Sequence, residues 1–214
     1  MHSRKFTLVE LLIVIGIIAI LAGILLPVLS GAGKRADMTK AKAEITTLIN
    51  AIKQFESTYG HLPLPDGYTE NTSITGNSYK DLIRILQGLD PDHATFGTSD
   101  GNNINPNTRK TRFLDVVRNS PGVFEDPWDR DYIIVMDKDY NGQITTGNIT
   151  QIRSGYDPSA SPPLKEKFFD TPLYYSIIIW SEGADTNVQK VYNDNVYSFP
   201  VIWDKNSKQY NITQ

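Results

Sequence analysis

Residues 6–29 read FTLVELLIVIGIIAILAGILLPVL, and the rest of the chain is organised around what this stretch must be. About 24 helical residues rise roughly 36 Å at 1.5 Å each, enough to span a hydrocarbon core of about 30 Å. Isoleucine, leucine and valine occupy every side, so this is no surface helix with a single apolar stripe. Its one ionisable residue is Glu10, and a carboxylate at such depth is costly unless something compensates it. A cleavable secretory signal accounts for Arg4, Lys5 and the small residues at Gly31-Ala32, but its apolar run is only about 7–15 residues. A plain signal anchor accounts for the length and leaves Glu10, Gly16, Gly23 and Pro27 without a purpose.

The same stretch resembles, nearly residue for residue, the N-terminal methylation motif of type IV pilins and type II secretion pseudopilins. The resemblance implies a cytoplasmic leader at residues 1–5, cut by a prepilin peptidase between Lys5 and Phe6, with the new amine of Phe6 then methylated. It also implies that Glu10 is kept and that Pro27 is the family's helix-loosening break. Lys5 stands where the family has glycine, a long cation where the peptidase expects no side chain. Glu10 then acquires a partner, the charged Phe6 amine of a neighbouring subunit. That pair sets axial register, and unpaired charges penalise the wrong ones. The other reading of Glu10 is a side chain that snorkels to the interface and does nothing more. Lys34, Arg35, Lys40 and Lys42 outnumber Arg4 and Lys5, which by the positive-inside rule would keep the large domain in the cytoplasm. The resemblance implies the reverse, a single-pass inner-membrane protein with its C-terminal domain in the periplasm.

Beyond this segment the chain turns polar, rich in Asn, Asp, Thr, Tyr and Gly. It has no cysteine among 214 residues, which excludes thiolate metal sites and thiol nucleophiles. His2, His61 and His93 fall in no zinc or triad spacing, and a net charge of -3 argues against nucleic acid as a partner. After Gly31-Ala32-Gly33, Ile45, Leu48, Ile49, Ile52 and Phe55 follow 3/4 spacing and Gly60 closes the pattern, which predicts an amphipathic helix continuing the first one. Tyr59-Gly60-His61-Leu62-Pro63 resembles the helix exit of pseudopilins, making His61 a helix-end residue. Residues 78–88 read as a short helix, with Ser78 at the N-cap, Asp81 three positions on and Gly88 at its end. Residues 97–116 form an Asn/Gly/Pro-rich loop, with Arg109, Lys110 and Arg112 as a solvated basic cluster. DYIIVMD, YYSIIIWS and NVYSFPVIW are β-branched and aromatic runs that read as strands, and residues 147–152 are a further candidate.

The expected architecture is α+β, a long N-terminal helix packed on a C-terminal antiparallel sheet. The divisions are a leader at 1–5, a membrane or filament-core helix at 6–29, an amphipathic half at 30–60, a loop region at 61–125 and the sheet with its loops at 126–214. This is also the pilin plan that the resemblance implies.

Three segments carry candidate chemistry. Asp126-Pro127-Trp128 with Tyr132 resembles a structural turn of major pseudopilins, with Asp129 in place of a small residue. Asp137, Asp139, Asn141 and Gln143, with Gly142 between them, match the first positions of an EF-hand-like calcium loop. The twelfth position is Asn148 rather than glutamate, and the stretch equally fits a tight hairpin turn. WSEGADTNVQKVYNDNV, residues 180–196, resembles the calcium loop of the major pseudopilin. The resemblance assigns Asp185 and the main chain of Glu182 as ligands, with Asn193 and Asp194 as the second cluster. Thr186 and Lys190 depart from its pattern. The implied function is a non-enzymatic filament subunit, the major pseudopilin of a type II secretion system. It would work with minor pseudopilins, an inner-membrane assembly platform and the peptidase/methylase. The alternatives are a type IV pilin for adhesion, motility or DNA uptake, and a signal-anchored domain that never polymerises.

Overall fold

The computed structural model describes residues 7–93, 95–96, 105–115, 120–145, 172–184, 196–199, 201–204 and 209–212; side chains are described at all of these except 24–32, 201–204 and 209–212. Helix α1 runs from Leu8 to Tyr59 without interruption, about 78 Å of rod. In the single chain α1 passes through Pro27 and Gly31-Ala32-Gly33 as the expected continuous helix. A proline removes only one backbone donor, and the turns on either side keep the remaining ladder. Gly60 ends the helix in the left-handed region at φ 79, its N–H returning to the Glu56 carbonyl, as a glycine cap does.

Among the described side chains of α1, only those of the outer half lie on a core. Ala41, Ile45, Leu48, Ala51, Ile52 and Phe55 are buried, one stripe at 3/4 spacing; Ile49, at the stripe's edge, is only partly buried. The stripe meets a three-stranded antiparallel sheet in the order β1 (Ile133–Met136), β2 (Ile177–Ser181), β3 (Val196–Tyr197). Ile133 pairs with Trp180 and Met136 with Ile177. Ile134, Met136, Ile177 and Ile179 face α1, whereas Ile133, Val135, Ile178 and Trp180 join a second cluster with Ile144, Leu173 and Phe199. Burial on both faces explains why these strands read as continuous apolar runs rather than alternating ones. The outer side of β1 is met by an isolated bridge, Ile74 to Ile134, with the Ile74 N–H donating at 2.8 Å. A separate antiparallel pair, β4 (Val201–Asp204) and β5 (Gln209–Ile212), completes the described strands. The further candidate at 147–152 lies outside the described residues.

The short helix α2 spans Gly76–Leu86, two residues earlier than its sequence pattern suggests. Thr75 is the N-cap and makes no side-chain cap bond, while Gly76 at φ 59 starts the helix. Ser78 therefore sits inside the first turn, and Asp81 has a different task. Its fully buried carboxylate accepts the N–H groups of Asp92 (2.9 Å) and His93 (3.1 Å), the Thr95 hydroxyl (2.6 Å) and a contact from His93 Nδ1 (3.1 Å). Asp81 pins the segment after α2 onto the helix. Gly88 is required where it stands: at φ 77, a Cβ there would lie 2.7 Å from the Lys110 carbonyl oxygen. Asn107 does the same work for the next loop, donating to the Ile85 and Thr111 carbonyls and accepting from Tyr59. In the basic cluster, Lys110 pairs with Asp90 and Arg109 lies over the Tyr59 ring.

Burial opposes ionisation of Asp81, but the hydrogen bonds from Thr95, His93 and Asp92 outweigh it and hold the carboxyl below its ordinary value. The folded state therefore binds fewer protons here than the unfolded one. This contribution to stability is complete above the unfolded pKa and disappears as pH falls through the folded pKa, from about pH 4 downward. Asp81→Ala, which removes the shared acceptor of the part-buried Asp92, His93 and Thr95 donors, is expected to cost about 1–2 kcal/mol at neutral pH and to flatten the acid limb of stability, read by thermal melts across pH.

Candidate functional site

Two regions of the molecule have unusual physics. The first is the free half of α1. Every large apolar side chain from Leu8 to Leu21 is exposed, from 46% at Val14 to 78% at Leu8. Among the described residues no helix is long and apolar enough to cross a membrane, yet an apolar surface of this extent marks a site of association. Glu10 lies at its start. Thr7 and Glu10 form a reciprocal capping box: the Glu10 N–H donates to Thr7 Oγ1 at 3.2 Å, and Glu10 Oε2 accepts both the Thr7 N–H and hydroxyl at 2.8 Å. The signature was readable as Thr7-x-x-Glu10. Among the described residues no cation pairs with Glu10. Lys5 and Phe6 lie outside those residues, and Pro27 is placed only as helical backbone.

The second region is where the loops close over the sheet. Asp126 is nearly fully buried, and its Oδ1 accepts from the N–H groups of Trp128 and Arg130. Its Oδ2 accepts the Ser181 hydroxyl at 2.5 Å, and Ser181 Oγ in turn accepts the Gly183 N–H. The Asp-Pro-Trp turn and the Trp-Ser-x-Gly segment, far apart in sequence, are thus one hydrogen-bonded unit. Sequence reading named Asp126 with Pro127 and Trp128 as a structural turn but not its bond to Ser181; an acid two residues before a Trp in a turn is the signal of an Asx-type cap. Asp129 is held at φ 61, a conformation glycine adopts more readily. Glu182 lies near Arg130, with 3.9 Å between charged atoms. Asp185, Asn193 and Asp194 lie outside the described residues.

Below the sheet, the Asp137 loop is drawn together differently from an EF-hand. Asn141 is spent within the loop, its amide donating to Asp139 Oδ2 and its carbonyl oxygen accepting the Gln143 N–H; Gln143 itself is exposed. Asp137 and Asp139 instead meet Glu70, from a segment far earlier in the chain. Burial pushes the Asp137 carboxyl above its ordinary value, with the neighbouring Asp139 adding to it. Tyr68 anchors the Glu70 segment, donating to the Thr72 carbonyl and accepting the Met136 N–H. Burial raises its phenol to about 12, so it stays neutral.

Among curated proteins, the chain is similar to the type IV wide pilus major component PilA4 of Thermus thermophilus, 41% identical over 95 residues, 44% of this chain and 63% of that protein. It is similar to the type II secretion system core protein G of Escherichia coli, 40% identical over 61 residues, 28% of this chain and 42% of that protein. It is also similar to a fimbrial protein of Pseudomonas aeruginosa, 30% identical over 134 residues, 57% of this chain and 83% of that protein. The matched stretch spans less than two thirds of the first two relatives. No protein-family model and no solved structure matches the chain.

Asp126→Ala is expected to cost about 2–3 kcal/mol, because it leaves buried donors at Trp128 and Ser181 without an acceptor. Asp129→Gly is expected to stabilise by a few tenths to about 1 kcal/mol, by relieving the left-handed backbone. Denaturant titration of the two variants beside the parent chain checks both signs.

Proposed function

Because the chain belongs to the type IV pilin-like family of filament subunits, we propose that it is a membrane-anchored structural subunit, not an enzyme, that assembles into a helical filament through the free half of α1. The observation that carries this reading is the exposed apolar surface from Leu8 to Leu21 with one carboxylate, Glu10, at its start. Water is a poor solvent for such a surface. Lipid suits it while the subunit waits, with residues 6–29 as the anchor and the folded half of the molecule outside. Neighbouring helices suit it equally well once the subunit is extracted. The transfer from lipid to helix bundle then costs little in apolar contacts, and the charge decides the register.

The capping box holds the Glu10 carboxylate at the first turn of the helix, close to where the chain begins after removal of residues 1–5. A Phe6 amine from the next subunit meets it there. In a low-dielectric filament core an unmatched carboxylate costs several kcal/mol, so subunits out of register are rejected. Pro27 supplies the place where the continuous rod of the single chain can bend on packing.

Within the family, the reading we favour is the major pseudopilin of a type II secretion system. It would grow on an inner-membrane assembly platform together with minor pseudopilins, after processing by a prepilin peptidase. Support comes from the Asp126–Ser181 bond, which joins the two segments that resemble the pseudopilin. A type IV pilin is the second reading. It is favoured by the longer matches to PilA4 and the fimbrial protein, 95 and 134 residues against 61 for core protein G.

Glu10→Leu in the native host is expected to insert into the membrane normally and to abolish filament growth, scored by membrane fractionation and electron microscopy. Filaments of the variant at parental abundance would remove the register role. Fibres reaching the cell exterior at ordinary expression would favour the pilus over the pseudopilus.

A further inference from the structure

We propose that Glu70, Asp137 and Asp139 form a calcium site, built by two segments far apart in sequence. One carboxylate oxygen from each residue lies within 4.8 Å of the others. Oxygens around a calcium ion at about 2.4 Å are at most about 4.8 Å apart, so the spacing of the three is compatible with one shared ion after at most a few tenths of an ångström of side-chain adjustment.

The cluster is also short of positive charge and of donors. Asp137 is 2% exposed, and its Oδ1 is buried without a hydrogen-bond partner. Glu70 Oε1 is in the same state. The opposite oxygens are occupied: Glu70 Oε2 accepts the N–H groups of Lys138 (2.7 Å) and Asp139 (3.2 Å), and Asp137 Oδ2 accepts that of Gly142 (2.7 Å). The protein thus orients Glu70 and Asp137 with one oxygen each and leaves the other bare, while Asp139 is exposed and accepts from Asn141. A buried carboxylate oxygen with no donor is expensive, and three carboxylates side by side repel one another. Lys138, the nearest cation in sequence, does not relieve them. Its ammonium donates to the Tyr68 carbonyl at 2.5 Å, and among the described residues no ion pair reaches the three acids. A hard divalent cation supplies the missing charge and the missing contacts together. Calcium fits better than magnesium, whose octahedral oxygens at about 2.1 Å span less and which sheds water reluctantly. Water and main-chain carbonyls complete its six to eight ligands.

Glu70 takes the place that an EF-hand gives to its last, bidentate glutamate, coming from a distant loop instead of the twelfth position. The bound ion would tie the segment after the helix exit to the end of β1. This assignment does not depend on the filament reading, since it concerns only the folded half of the molecule.

The test uses the full chain in detergent micelles, stripped with chelator and titrated with calcium chloride or magnesium chloride. The parent chain is expected to bind calcium more tightly than magnesium, with a dissociation constant from about micromolar to millimolar, and its melting temperature should rise by several degrees. Glu70→Gln and the exposed-site variant Asp139→Asn are each expected to weaken calcium binding at least tenfold. Asp185→Asn separates the two acidic loops: calcium binding that survives in it and is lost in Glu70→Gln belongs to the Glu70 site, whereas binding lost in Asp185→Asn and kept in Glu70→Gln would overturn the assignment. Asp137→Asn, which keeps an oxygen for Gly142, is expected to melt higher than the parent without calcium and to lose the calcium-dependent rise. Failure of the parent chain to bind calcium up to about 10 mM, tighter binding of magnesium, or unaltered affinity in Glu70→Gln and Asp139→Asn would overturn the assignment.

Discussion

The burial of Ile45, Leu48, Ile52 and Phe55 against the inner face of the sheet is the contact from which everything else in the molecule hangs. Each of these side chains contributes about 1.5–3 kcal/mol when fully removed from water, and together they clamp the outer half of one helix. With that half fixed, the inner half needs no tertiary support: its backbone bonds are satisfied within the helix, and its side chains are free for another surface. One element therefore serves two environments. The change occurs along a continuous rod, so the folded half moves wherever the apolar half is held.

The loops follow from the same clamp. Three buried polar residues hold them down, each by satisfying donors that would otherwise be stranded. Asp81 gathers the chain after α2, Asn107 fixes the loop beside Tyr59, and Asp126 joins its turn to Ser181. They show how a small α+β domain with no cysteine closes its irregular regions: by carboxylate and carboxamide staples in place of covalent ones.

What could be read from the residues alone divides along physical lines. Periodicity found the buried stripe of α1, and unbroken β-branched and aromatic runs marked the strands Ile133–Met136 and Ile177–Ser181, because one-sided and two-sided burial each leave their own residue pattern. Gly60 and Gly88 were legible because left-handed helix ends demand glycine. The start of α2 was misplaced because Ser78 and Asp81 imitate a capping box, whereas Asp81 is drawn away by donors on a later loop. Likewise the Asp137 loop showed its own alternating oxygens but not Glu70, since no local pattern signals a partner from so far up the chain. Local rules were reliable where local forces decide, and silent where a long-range contact does.

The bridge from Ile74 to Ile134 has a bearing on how copies of the chain can meet. It occupies part of the outer margin of β1, while β3 at the opposite margin is only two residues long. Among the described residues neither rim offers the long bare ladder on which a foreign strand could zip. Cross-strand templating, a hazard for proteins packed at high density, is thus discouraged along the described margins of the principal sheet.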